Sequence, residues 1–208
     1  MFLKKKRDRK IKGRGCVDGR PQHLDPNKPK TSASTVASES VLLTSVIDVM
    51  ENRDVATVDI PGAFLHADME GDDVHMKLEG MLVEMLARID PKLYCKYIRD
   101  ENGKTVMYVQ LKKALYGTIQ VALLFWKNLT ASLQEWGFTI NPYDWCVANK
   151  MVNGEQLTVI WYVDDLKISH ADPEAVTQFM KKTKRPIWKR SAPNHTTWKS
   201  ARLHRNVP

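Results

Sequence analysis

The sequence predicts an α+β fold, and three observations carry that prediction. Short runs crowded with β-branched and aromatic residues, such as "LTVIWYV" (157–163), read as strands. A longer stretch from Gln120 to Trp136 repeats its apolar residues every three or four positions, as a helix does. Turn formers at Asn102-Gly103 and Asn153-Gly154 join neighbouring strand-like runs too closely for a crossover, so part of the pairing is antiparallel. With 208 residues, 43% of them apolar, the chain suffices for one domain with a real core, one and a half at most.

Taken in order, residues 1–12 are a charged lead-in, and 13–35 read as a short strand followed by a long Gly- and Pro-rich loop. "SESVLLTSVIDVMENRD" (38–54) reads as a helix with Ser38 or Ser40 as its cap and an apolar stripe of Leu42, Val46, Val49 and Met50. "VATVDI" (55–60) is a β-run broken by Pro61-Gly62. Residues 80–93 read as a helix stopped near Pro91, and 101–111 as a turn leading into a strand. Val121, Phe125, Leu129, Leu133 and Trp136 then mark a helix with a buried face, and Gly137 offers its stop. "WCVANKM", "NGEQ" and "LTVIWYV" follow as strand, turn and strand. "DPEAVTQFMKKTK" opens a last helix with Asp172 as cap and Pro173 at the first position. There is no internal repeat.

The net charge is +8, with "KKKRDRKIKGRG" near one end and "KKTKRPIWKRSAP" near the other. That balance suits a polyanionic partner such as nucleic acid, because neutralising phosphates releases counterions; a soluble protein with lysine-rich ends reads the same way. "KKKRDRK" fits nuclear import or plain solvated surface. Three cysteines, Cys16, Cys95 and Cys146, lie far apart with no C-x-x-C pair, which argues against a disulfide framework or zinc knuckle and fits a reducing intracellular compartment. No run approaches the roughly 18 apolar residues of a membrane span, and no apolar segment follows the basic start as in a secretory signal.

The feature that demands chemistry is "IWYVDDLKISH" (160–170), in which Asp164 and Asp165 sit side by side inside an apolar β-run. Burying charge is unfavourable unless it is paired or bound to metal. One other carboxylate, Asp59, ends a β-run comparably. If the two strands share a sheet, three carboxylates meet at its edge and repel unless divalent cations neutralise them. Two Mg²⁺ ions about 3.5–4 Å apart do this and stabilise the attacking and leaving oxygens of phosphoryl transfer. Hard oxygen donors without His or Cys favour Mg²⁺ or Mn²⁺ over zinc. Spacing alone leaves a second reading open, in which the acidic pair is simply a polar hairpin turn.

Four ordered blocks distinguish the two. "DIPGAFLHADMEGDDVHMKLEG", "LKKALYGTIQVALLFW", "WGFTINPYDWCVANK" and "YVDDLKISH" resemble, in order and spacing, the reverse transcriptase region of copia-type LTR retrotransposon polyproteins, and "KGRGCVDGRPQ" resembles that family's fingers segment. The resemblance spans about residues 9–184. It implies a palm, an antiparallel sheet with helices packed on one face, plus partial fingers and no thumb. It also implies an RNA-directed DNA polymerase with an RNA template, a DNA primer and dNTPs as partners, using two Mg²⁺ with Mn²⁺ as substitute. Asp59 then corresponds to the first metal ligand, Asp164 to the second and Asp165 to its neighbour at the hairpin tip. Phe64 matches the aromatic residue that stacks under the incoming sugar and excludes a ribose 2′-OH. Lys12 and Arg14 lie where fingers residues grip the triphosphate, or else are ordinary basic surface. Gly117 would let backbone approach the template–dNTP pair, with Gln120 beside it.

The chain departs from the family where Ile119 and Leu123 replace basic residues and Ala122 replaces a proline, which removes phosphate contact from that segment. Tyr116, Trp126 and Trp136 read as base-stacking or as core, while His66 and His75 read as surface. Beyond Lys184 the resemblance ends. Permitted codons for residues 187–207, read one base later, give "FGKEAPQITPHGKVHDYIGM", which resembles the family's next palm segment. The sequence therefore divides into a basic lead-in (1–8), a fingers–palm domain (9–184) and an out-of-frame or disordered tail (185–208), and the expectation is a truncated, inactive fragment. Two rivals stand beside it: a non-catalytic basic nucleic-acid-binding remnant, and a structural α+β domain whose acidic turn binds nothing.

Overall fold

The structure, a computed structural model, describes residues 2–5, 9, 11–23, 31–60, 62–69 and 74–184; the expected tail lies outside the described residues. Near the start of the chain two strands, β1 (Phe2–Lys5) and β2 (Ile11–Arg14), pair antiparallel, and a single helical turn α1 (Arg20–His23) follows. Then come helix α2 (Ser38–Met50), strand β3 (Asp54–Asp59) and the short helix α3 (Ala63–His66). Strand β4 (His75–Glu79) precedes helices α4 (Met81–Ile89) and α5 (Pro91–Tyr94), with a 3₁₀ turn at Cys95–Tyr97. Strands β5 (Arg99–Glu101) and β6 (Lys104–Gln110) form a hairpin across Asn102-Gly103, and the long helix α6 (Val121–Glu135) follows. The chain then runs β7 (Thr139–Ile140), β8 (Val147–Val152), β9 (Glu155–Tyr162), β10 (Asp165–His170) and α7 (Pro173–Lys184).

The fold is α+β, with a five-stranded antiparallel sheet in the order β3-β10-β9-β8-β7 and a three-stranded sheet β4-β6-β5. Strand alternation sorts the larger sheet into two faces. Ala56 and Val58, Leu157, Val159 and Trp161, and Leu166 and Ile168 point to one face, where Phe125, Leu129 and Leu133 of α6 and Val176 and Phe179 of α7 close the main core. Trp161, Leu166, Ile168 and Leu133 are all at most 2% exposed, so this layer is dry. The smaller sheet has its own core of Leu78, Val83, Met107 and Val109. Ahead of β4, the Lys113 ammonium meets the Asp68 carboxylate at 2.6 Å.

Helix α2 departs from expectation in two ways. Neither Ser38 nor Ser40 occupies its N-cap; that position is Ala37, which has no side-chain cap, and its N–H instead donates to Asp144 Oδ2 at 2.9 Å. The apolar stripe is not buried either: Leu42, Val46, Val49 and Met50 are all exposed, Val49 to 82%. The polar side turns inward, because the non-core face of the sheet presents polar atoms to it. Lys167 reaches Asp48, Ser45 and Thr44, and Arg53 just beyond the helix donates to Thr158 Oγ1.

Other ends follow the sequence closely. Asp172 accepts the N–H of Glu174 at 2.9 Å above Pro173, and Gly137 takes φ +82 after α6, where a side chain would be strained. Pro91 does not simply stop a helix. It begins α5, capped by Asp90, whose carboxylate accepts the Leu93 N–H at 3.0 Å.

Candidate active site

The acidic pair lies at the tip of the β9–β10 hairpin. Asp165 opposes Tyr162, leaving Val163 and Asp164 as the two-residue turn. Such turns need positive φ at the first position to match the strand twist. Val163 takes that conformation, at φ +56, although a β-branched side chain disfavours it. Strain of this kind, of order 1–3 kcal/mol, persists only where the surroundings hold it, and here the Val163 side chain packs against the main core.

On its other edge β10 pairs with β3, and the register places Asp165 directly opposite Asp59. Direct antiparallel partners have Cα atoms about 4.5–5.5 Å apart and side chains on one face. The Ile60 N–H donates to the Asp164 carbonyl at 3.3 Å and closes this end of the pair. Asp59, Asp165 and Tyr162 thus form one row across three strands on the face away from α6 and α7. All three are exposed, and Asp164 is half-buried beside them. The next row down, Thr57, Lys167 and Ile160, is the one that Asp48 of α2 reaches.

The remaining sequence-predicted residues are placed as follows. Phe64 follows Gly62, which has φ +65, and is buried in the core, its ring edge-on to Tyr116 at 4.7 Å and Phe125 at 5.7 Å. Tyr116, Trp126 and Trp136 are half-buried against the same core. Gly117 is a point of close approach, but to the chain itself: a Cβ there would lie 1.9 Å from the Val17 carbonyl oxygen, and one on Gly19 would lie 2.0 Å from that of Gly117. Val17 N–H donates to the Tyr116 carbonyl at 2.7 Å, and Gln22 Oε1 accepts the Ile119 N–H at 3.1 Å. The loop after β2 is therefore clamped onto the segment before α6. Gln120 is half-buried at the N-cap of α6, with no side-chain cap bond. Lys12 and Arg14 lie in β2, their side chains outside the described residues. His66 and His75 are half-buried rather than surface.

Sequence reasoning passed over Tyr162, Lys167 and Asp48. The first two carry a signal: counting by twos from Asp165 puts Lys167 on its face, and hairpin pairing puts Tyr162 opposite it. Asp48 carries none beyond being an acid in a helix.

Among the described residues no group of three His, Cys, Asp or Glu side chains forms a ligand cluster. The donor set still suits Mg²⁺ chemically. Mg²⁺ retains waters and takes one or two carboxylates plus substrate phosphates rather than a closed protein cage, and an exposed, adjacent pair of carboxylates is that arrangement.

The described helices include none long and apolar enough to cross a membrane. Comparison with protein families matches residues 1–189 to reverse transcriptase (RNA-dependent DNA polymerase), a stretch that contains Asp59, Asp164 and Asp165. Neither curated proteins nor solved structures return a match. With all but the last 19 of its 208 residues inside that match, the chain belongs to the reverse transcriptase (RNA-dependent DNA polymerase) family and carries a reverse transcriptase domain of a retrotransposon.

Proposed function

We propose that this domain is the fingers–palm portion of a copia-type reverse transcriptase, transferring dNTPs to a primer 3′-OH on an RNA template. The observation that carries the reading is the register of Asp59 against Asp165 at the hairpin that also holds Asp164. Like charges directly opposite destabilise a sheet, and a divalent cation held between them would offset that repulsion. Asp59, Asp164 and Asp165 would hold Mg²⁺. When bound, the metal supplies charge neutralisation for the primer oxygen and the departing pyrophosphate. The protein's own work is positioning. The β3–β10 pairing holds the carboxylates on one ledge, and Tyr162 flanks them. Helices α6 and α7 stiffen the sheet from behind.

Primer extension on poly(rA)/oligo(dT) with Mg²⁺ tests the proposal, with Asp59→Asn and Asp164→Asn as controls. Extension that both substitutions abolish supports it; extension that survives them sinks it.

A second reading is a nucleic-acid-binding remnant that extends no primer. Two observations favour it: among the described residues nothing pairs with the outer edge of β3, and no three His, Cys, Asp or Glu side chains gather closely enough to form a ligand cluster. Filter binding to an RNA–DNA hybrid across a salt series, with no extension, is the outcome that selects it.

A further inference from the structure

Lys167 occupies an awkward place for a cation. It lies two residues from Asp165 on the same strand and face, about 6.5–7 Å along. It is also diagonal to Asp59, since its own partner on β3 is Thr57 and that of Asp165 is Asp59. Diagonal neighbours about 7–8 Å apart are within reach of a long side chain. An unrestrained lysine here would fold over the two carboxylates and compete with any cation they take. Its lateral neighbours, Thr57 and Ile160, offer no anion to hold it back.

The structure shows it drawn the other way. The Lys167 ammonium lies 2.5 Å from Asp48 Oδ2, with Ser45 Oγ at 3.2 Å and Thr44 Oγ1 at 3.4 Å as further acceptors. Asp48 is 6% exposed, and neither of its oxygens accepts a directed hydrogen bond, so Lys167 is its neutralising partner. A carboxylate buried without a partner is strongly unfavourable, which makes the ammonium reluctant to leave. The contact holds the Asp48 side of α2 against the sheet, with Leu42, Val46 and Val49 outside.

We infer that Asp48 is a positioning residue: it sequesters the Lys167 ammonium against α2 so that Asp59 and Asp165 remain free to take divalent cations. This rests on the polymerase reading above and names a part of the site's electrostatics outside its carboxylates. Asp48 touches neither substrate nor metal; it acts through Lys167.

The test uses Mn²⁺ itself, titrated into the full chain without nucleic acid and followed by electron paramagnetic resonance. Asp48→Asn releases the ammonium and is expected to weaken Mn²⁺ binding about fivefold, the size of one partly exposed ion pair. Asp48→Asn with Lys167→Met removes both charges and is expected to restore wild-type affinity. Thr44→Ala with Ser45→Ala loosens the same ammonium without touching the buried acid, and is expected to weaken binding about twofold even if Asp48→Asn fails to fold. Unchanged affinity in the folded Asp48→Asn protein overturns the inference. So does a double variant as weak as the single one, which would mean that α2 had merely loosened. Wild-type protein that binds no Mn²⁺, or binds it equally well as Asp59→Asn/Asp165→Asn, removes the polymerase reading itself and is distinguishable from either result.

Discussion

Asp59 and Asp165 are direct cross-strand partners, two exposed carboxylates on one face with no ion pair to a cation among the described residues. In a sheet this arrangement opposes folding by a fraction of a kcal/mol to about 1 kcal/mol. Stability and activity are therefore expected to move in opposite directions. Asp165→Asn should raise the free energy of unfolding by about 0.5 kcal/mol in urea while reducing primer extension by about a hundredfold or more. A variant that loses stability and activity together would show the carboxylate to be structural.

Gly117 is expected to tolerate no side chain. Alanine there would place its Cβ 1.9 Å from the Val17 carbonyl oxygen in a backbone at φ +96, and the atom it meets is main chain. Gly117→Ala should destabilise by about 2 kcal/mol or more and free the loop at Cys16–Gly19. Faster tryptic cleavage after Arg14, next to that loop, with the β8–β9–β10 sheet still protected in hydrogen exchange, is the expected pattern.

Asp144 links the loop before β8 to the start of α2. Burial pushes its carboxyl up, but hydrogen bonds from the Ser40 side chain and the Ala37 and Cys146 N–H groups outweigh that and hold it below its ordinary value. A depressed folded-state value means that the stabilisation is fully present above the ordinary carboxylate range and is lost as pH falls through it. Asp144→Asn should therefore be less stable than wild type by about 1 kcal/mol at pH 7, with the gap closing below about pH 4. A gap independent of pH would assign the effect to packing.

The outward stripe of α2 makes a contrary expectation for apolar residues. Val49 is 82% exposed and Leu42 68%, so Val49→Lys and Leu42→Glu should each change stability by no more than about 0.5 kcal/mol. Both should reduce self-association, measured by light scattering, because they break an exposed apolar patch. A loss of several kcal/mol would show that this face is covered in solution.

Much of this protein was legible along the chain because the signals are local. The 3.6-residue repeat from Val121 to Leu133 fixed α6 and its buried face. Two-residue turns at Asn102-Gly103 and Asn153-Gly154 fixed hairpins, and Asp172-Pro173 fixed the start of α7. The acidic pair between apolar residues marked the candidate site, because adjacent charges in a strand-like run demand a reason.

What the tertiary structure decided depends on partners far apart in sequence. Whether Asp59 meets Asp165 is a matter of strand register over about a hundred residues, and a slip by one would have sent the two to opposite faces. Which side of α2 lies inward was not legible in its stripe: Asp48 is buried beside the Lys167 ammonium, while Leu42, Val46 and Val49 lie outside. Phe64 packs against Tyr116 and Phe125, and Gly117 lies against Val17, contacts that no local pattern announces. Periodicity shows that a residue has a face; only the folded neighbours determine what that face meets.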